Sequence, residues 1–141
     1  MGRRKQTILE AAVTGIAFGG RGIARLDGMA VFVDQAVPGD RGLIRITRKR
    51  RQYAEAKLVE LVEASPDRVP PPCRYSGLCG GCTWQFLRYE RQIEYKRQQV
   101  AESIERIGRH VRAAKGFLGQ DVRLVVLPEY FLTGYPLAES I

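Results

Sequence analysis

The sequence predicts a mainly β chain with one long helix (an α+β class), its strands closed into a small five-stranded barrel. Three observations carry this. Short runs of alternating apolar and polar residues, punctuated by turn signals, succeed one another up to residue 64. A proline-rich stretch, Ser65 to Pro72 (SPDRVPPP), then ends the pattern. From Arg88 the period changes to that of a helix, with Ile93, Val100, Ile104 and Ile107 on one face and charges on the others.

The elements come in order. Thr7 to Val13 is the first strand, closed by the run Gly19, Gly20, Arg21, Gly22. Ile23 to Leu26 and Met29 to Val33 form a hairpin around Asp27-Gly28, because both turn residues tolerate positive φ. Alternation places Val31 and Val33 on one face and Phe32 on the other. Pro38-Gly39-Asp40 makes the next turn, and Leu43 to Thr47 the fourth strand, with Ile44 and Ile46 opposite Leu43, Arg45 and Thr47. Arg48-Lys49-Arg50-Arg51 reads as a basic bend, and Tyr53 to Val62 as a long fifth strand whose Ala, Glu, Lys and Leu content also suits a helix. Five such short strands bury little as an open sheet, so closure is the economical solution.

Organisation is set by these elements: a barrel over 1–64, a linker over 65–72, a cysteine knuckle over 73–87, a helix over 88–108 capped by Gly108, and a tail over 109–141. The tail holds a buried-type strand, Val122 to Leu127, and a loop from Pro128 to Tyr135. No internal repeat is found.

Composition limits the function classes. The 141 residues carry 23 Lys and Arg against 15 Asp and Glu, a net charge of +8. From residue 113 onward two basic residues face three acidic ones, so the basic excess sits in the first 112 residues. Such a module attracts polyanions, since Lys and Arg displace counterions condensed on phosphates. Solubility alone accounts for a charge of this size almost as well. No run approaches the roughly 18 apolar residues of a membrane span, and the basic N-terminus lacks the apolar core of a secretory signal. Three clustered cysteines argue against a disulfide framework. The expectation is a cytoplasmic protein with no membrane partner and no obligate protein partner, and with RNA as the leading ligand class.

Several motifs in order resemble a known family. Gly19-Gly-Arg-Gly-Ile-Ala-Arg-Leu-Asp-Gly28, the strand Val31-Phe-Val33, Pro38-Gly39-Asp40 and the basic hairpin into Tyr53-Ala-Glu-Ala56 resemble a TRAM domain. The proline-rich linker, the knuckle Cys73-x5-Cys79-Gly-Gly-Cys82 and the segment Gln85 to Gln99 resemble the region after TRAM in bacterial 23S rRNA uracil-C5 methyltransferases. The likeness covers residue 7 to about residue 108. It implies an OB-like, RNA-binding barrel, an iron–sulfur knuckle, and a helix leading into a catalytic half. In that family S-adenosylmethionine methylates a uridine held covalently by a cysteine, in a Rossmann-like domain that is expected to be absent from these 141 residues. The chain alone is therefore expected to be inactive. The tail is different: Leu124 to Tyr135 (LVVLPEYFLTGY) resembles the start of a nitrilase-superfamily carbon–nitrogen hydrolase, where Glu129 would match the general base. Two resemblances in one chain imply a fusion, truncation or assembly join between Gly108 and Ala113. A hydrolase fragment with a basic accessory domain is the alternative reading.

The residue types limit the chemistry. Thiolates suit iron–sulfur clusters or zinc because they are soft, charged donors, and the Cys79–Cys82 spacing lets two sulfurs face one site. Cys73 is the third ligand of an incomplete [4Fe–4S] set. The alternatives are a labile cluster, zinc completed by His110, or no metal. For RNA, Arg21, Arg25, Arg45, Arg48, Lys49, Arg50 and Arg51 are the candidate phosphate contacts. Tyr53 is the candidate stacking residue, while Phe32 fits the barrel core better than a stacking role. No G-x-G-x-x-G joins a strand to a helix, and no cysteine comes after Cys82 to serve as a hydrolase nucleophile. Glu129 then reads as a loop carboxylate.

Overall fold

Residues 7–118 are described by a computed structural model. Five strands and one helix succeed one another: β1 (Ile8–Ile16), β2 (Gly22–Leu26), β3 (Met29–Asp34), β4 (Arg41–Lys49), β5 (Tyr53–Glu63) and α1 (Tyr89–Leu118). The strands close in the order β1-β2-β3-β5-β4, with β4 pairing back to β1. All pairs are antiparallel except β3 with β5. This is the five-stranded OB-like arrangement that the turn spacing implies. The hairpin β2–β3 turns at Asp27 (φ 48°) and Gly28 (φ 81°), the two positive angles that a type I′ connection needs.

Small residues make closure possible. The core consists of Ala11, Val13, Ala24, Val31, Val33, Ala36, Ile44, Ala54 and Ala56. Alanine on β1, β2 and β5 leaves room at the barrel axis for Val31, Val33 and Ile44, which are at most 1% exposed. Alternation then sends Tyr53, Glu55 and Lys57 outward from β5, since Ala54 and Ala56 point in. Register shifts at three places along β4 and β5 add the coiling that bends an open sheet into a barrel.

The loop joining β3 to β4 is held by one carboxylate. Asp40 is 1% exposed. Its Oδ2 accepts from Val37 N at 2.8 Å and its Oδ1 from Ser65 N at 3.0 Å. Arg68 closes the set, donating from Nη2 to Oδ2 at 2.6 Å and from Nε to Oδ1 at 3.0 Å. The same guanidinium donates to the Gln35 carbonyl at 2.6 Å and lies 5.3 Å from the centre of the Phe86 ring. A charged pair so placed survives desolvation only because nearly every polar atom finds a partner.

This corrects the linker expectation for 65–72. Prolines keep the segment out of a ladder, yet it is strapped to the barrel. Ser65 and Arg68 tie it to Asp40, and it also pairs with the segment before the helix: Arg68 bridges to Leu87, Val69 N donates to Phe86 O at 2.9 Å, and Arg88 N donates to Asp67 O at 2.9 Å. Leu87, 1% exposed, is buried beneath the strap.

Two further expectations change. Arg48 and Lys49 belong to β4, so the bend proper holds Arg50 and Arg51. The helix does not stop at Gly108 but runs through it to Leu118. Gly108 lacks the positive φ of a cap. An interior glycine costs a helix about 1 kcal/mol, and Arg109, Arg112, Ala113, Ala114 and Lys115 beyond it are good helix formers. Glu90 in the first turn and Lys115 in the last favour the helix dipole. Two compact units divide the chain at Gln92 and Ile93; the described part of the second is the remainder of α1. Among the described residues no helix is long and apolar enough to cross a membrane.

Replacing Asp40 with Ala leaves the Arg68 charge facing a buried void, and removing one partner of such a pair costs about 3–5 kcal/mol. The urea midpoint of Asp40→Ala should fall sharply, with Arg68→Ala falling less because Asp40 keeps its backbone donors. Unchanged midpoints in both would show that the strap is not held this way.

Candidate nucleic-acid interface

The outward side chains of β2, β3, β5 and β4 form one surface, and the register gives its rows. In the first, Arg25, Ala30 and Tyr53 are cross-strand partners; in the second, Ile23, Phe32, Glu55 and Arg48; in the third, Asp34, Lys57 and Arg45. Arg25, Arg48, Lys57 and Arg45 thus alternate with the rings of Tyr53 and Phe32, the interleaving of charge and π-faces that a stacking surface requires. Phe32 is half-buried on the outer face, with its ring 5.7 Å from that of Tyr53 in an edge-to-face contact at 72°. The core assignment for Phe32 is thereby overturned. Val31 and Val33 take the inward positions, and alternation leaves Phe32 no other direction.

The expected cations are only partly brought together. Arg25, exposed, donates to the Gly28 carbonyl at 3.4 Å. Arg45 and Arg48 stand on β4 beside Lys57 and Glu55. Lys49, Arg50 and Arg51 are exposed at the β4–β5 turn, where Arg50 N donates to Tyr53 O at 2.9 Å. Arg21, in the β1–β2 loop, pairs with Asp34 at 3.1 Å and Glu55 at 3.8 Å. These are half-exposed pairs worth at most about 1 kcal/mol. Sequence reasoning misses Lys57. The strand alternation that points Tyr53 outward does the same for Lys57, so the signal is there to be read.

The cysteine segment docks on the barrel at two points. Gln35, at φ 64°, donates from Nε2 to the Gly77 carbonyl at 2.9 Å. Thr83 donates from Oγ1 to the Gly19 carbonyl at 2.6 Å. Beside it Gly20, at φ 88°, allows an approach that no side chain would: a Cβ there would come within 2.7 Å of Thr83 Oγ1 and 2.8 Å of Trp84 Nε1. The glycine-rich loop is thus both a turn and a seat for Trp84.

The thiols do not converge in the same way. Cys73 is half-buried, Cys79 and Cys82 are exposed, and all three are free. Among the described residues no three His, Cys, Asp or Glu side chains come together to hold a metal ion. His110 is exposed on α1. Glu129 and the hydrolase-like segment 124–135 lie outside the described residues.

Residues 3–59 match the TRAM domain family. The barrel is thus a TRAM domain, in the N-terminal part of the chain. Beyond it the homology extends to RlmD-type enzymes. The chain is 42% identical over 112 residues to the 23S rRNA (uracil(1939)-C(5))-methyltransferase RlmD of Alcanivorax borkumensis, covering 77% of this chain and 25% of that protein. The protein of the same name from Methylococcus capsulatus is 43% identical over 117 residues, covering 81% of this chain and 26% of that one. An uncharacterized RNA methyltransferase of Synechocystis is 41% identical over 102 residues, covering 72% and 22%. The chain spans about a quarter of the length of these relatives. A conserved protein of Methanococcus maripaludis solved in solution is 35% identical, covering 37% of this chain and 74% of that one, with a TM-score of 0.36.

The seat for Trp84 can be tested through its emission, since it is the one tryptophan of the chain. Gly20→Ala should expose Trp84 to acrylamide quenching and cost about 1–3 kcal/mol of strain and displacement. Gly19→Ala, at φ 91° with nothing within 4 Å of its Cβ, carries the backbone strain alone and should leave quenching unchanged. Equal quenching in both variants would contradict the close seat.

Proposed function

We propose that this chain binds single-stranded RNA on the outer face of β2, β3 and β5, as the RNA-recognition part of a 23S rRNA uracil-C5 methyltransferase. The observation that carries this reading is the Phe32–Tyr53 pair, set among Arg25, Arg45, Arg48 and Lys57. Barrels of this topology bind oligonucleotides on the strand 2–3 face and the loops beside it. Here those loops carry Arg21 and the Arg50–Arg51 bend. The relatives, whose names state action on 23S rRNA, support rRNA as the target and a cytoplasmic setting. Methyl transfer from S-adenosylmethionine is proposed for the remainder of such a protein. The barrel's share is to hold and orient the strand.

The chemistry of recognition is set by the surface. Phosphates meet cations at the strand ends and turn, where solvent screening keeps each contact weak and the sum salt-dependent. Bases meet ring faces, which every base can stack on, so the barrel alone supplies affinity more than sequence choice. For Cys73, Cys79 and Cys82 we propose a soft-metal role in which the loop orders around the metal as it binds, since metal binding is coupled to the folding of the segment that supplies its ligands. The Cys-x5-Cys-x2-Cys spacing supports this.

Two measurements check these readings. Replacing Phe32 or Tyr53 with Ala should weaken RNA binding by about 1–3 kcal/mol each. Changing Arg48, Lys49, Arg50 and Arg51 together to Gln should flatten the salt dependence by about 0.7 for each phosphate no longer neutralised. Unaltered affinity and slope would place the RNA elsewhere. Protein purified without oxygen should retain iron with a broad visible thiolate-to-iron absorption. A colourless preparation free of iron and zinc would end the metal reading and leave the RNA reading intact.

A further inference from the structure

A cleft opens between the barrel and the cysteine segment, sharing Lys57 with the edge of the stacking face. Arg21, Asp34 and Lys57 line it from the barrel, and Leu78, Cys82 and Phe86 from the cysteine segment. Its chemistry is divided. One wall is charged: Lys57 makes no ion pair among the described residues, while Arg21 pairs with Asp34, which lines the cleft beside it, and with Glu55, both partly exposed carboxylates that leave the guanidinium open to a further anion. The other wall is apolar, with the Phe86 ring fixed by the Arg68 guanidinium at 5.3 Å and Leu78 82% exposed. At Gly80 the wall is open, since a Cβ there would meet nothing within 4 Å.

A cation beside an exposed apolar wall suits a ligand that is an anion at one end and a flat ring at the other. The cleft is also continuous with the stacking face. Lys57 is the cross-strand partner of both Asp34 and Arg45, and Arg21 reaches Glu55 in the row that contains Phe32. A strand lying on Tyr53 and Phe32 and leaving along Lys57 enters this cleft.

We propose that the cleft holds one nucleotide of the bound RNA, its phosphate on Lys57 and Arg21 and its base against Phe86 and Leu78. The proposal rests on the barrel's RNA-binding role and adds to it a second contact surface, on the cysteine segment. Docking of that segment through Gln35–Gly77 and Thr83–Gly19 then has a purpose. It builds the far wall of a subsite that the barrel alone cannot form.

The test uses the full chain and a single-stranded RNA of about 12 nucleotides, within the span such barrels cover, carrying 4-thiouridine for photo-cross-linking. Cross-links should appear in the tryptic peptide from Tyr75 to Arg88 as well as in the peptides that contain Phe32 and Tyr53. Leu78→Glu, at a position exposed enough to leave the fold intact, should weaken binding by about fivefold or more. Cross-links confined to the Phe32 and Tyr53 peptides, with Leu78→Glu binding as the parent does, would overturn the cleft and leave the barrel reading standing. Absence of any RNA binding by the parent chain would overturn both.

Discussion

The carboxylate of Asp40 is the constraint on which the rest of the molecule depends. It lies where the β3–β4 turn, the start of the strap and the Arg68 guanidinium meet, and it receives donors from all three. Its own backbone is fastened to β1, with Val13 N donating to Asp40 O and Gly39 N to Val13 O, both at 2.8 Å. A barrel with so many alanines has a thin core and gains little from burial alone. Charge-assisted bonds at its end supply the definition that a larger core would give elsewhere. Through Arg68 the same group also orients Phe86 and keeps the segment before the cysteines against the barrel.

The proposed RNA-binding face is a consequence of that fastening. The stacking face needs β3 and β5 side by side, and these two are the parallel pair, separated in sequence by the whole of β4. The turn that Asp40 holds is the start of that crossing. It sends the chain away along β4, which pairs with β1 on one side and β5 on the other, before Tyr53 returns beside Phe32. Without it, the two rings have no reason to meet.

Much of the barrel is legible because its signals are local. Asp27-Gly28, the alternation in Met29 to Val33, and the run of four cations each declare themselves within a few residues. The hidden features are non-local or run counter to residue type. The strap reads as a linker because prolines dominate Ser65 to Pro72, while Arg68, which ties it to Asp40, has that partner 28 positions earlier. Phe32 fits a core on hydrophobicity alone, although its parity with Val31 and Val33 points it outward. Gly108 resembles a cap because glycine usually is one, but helix formers on both sides outweigh a single glycine. The glycine run 19–22 is recognisable as a turn. Its second purpose, admitting Trp84, depends on a residue 64 positions beyond Gly20 and has no sequence signature. The cysteines show the opposite case: their spacing points to a shared site, yet among the described residues no three metal-ligating side chains come together.

RNA lying across β2, β3 and β5 is the claim that the stacking face and the cleft share. Amide chemical-shift mapping of the labelled chain, titrated with single-stranded RNA, addresses that placement directly. The largest changes are expected at Ile23, Arg25, Phe32, Tyr53 and Lys57, with β1 residues such as Glu10 and Ala12 unmoved. Changes concentrated on β1, or on α1 alone, would contradict it.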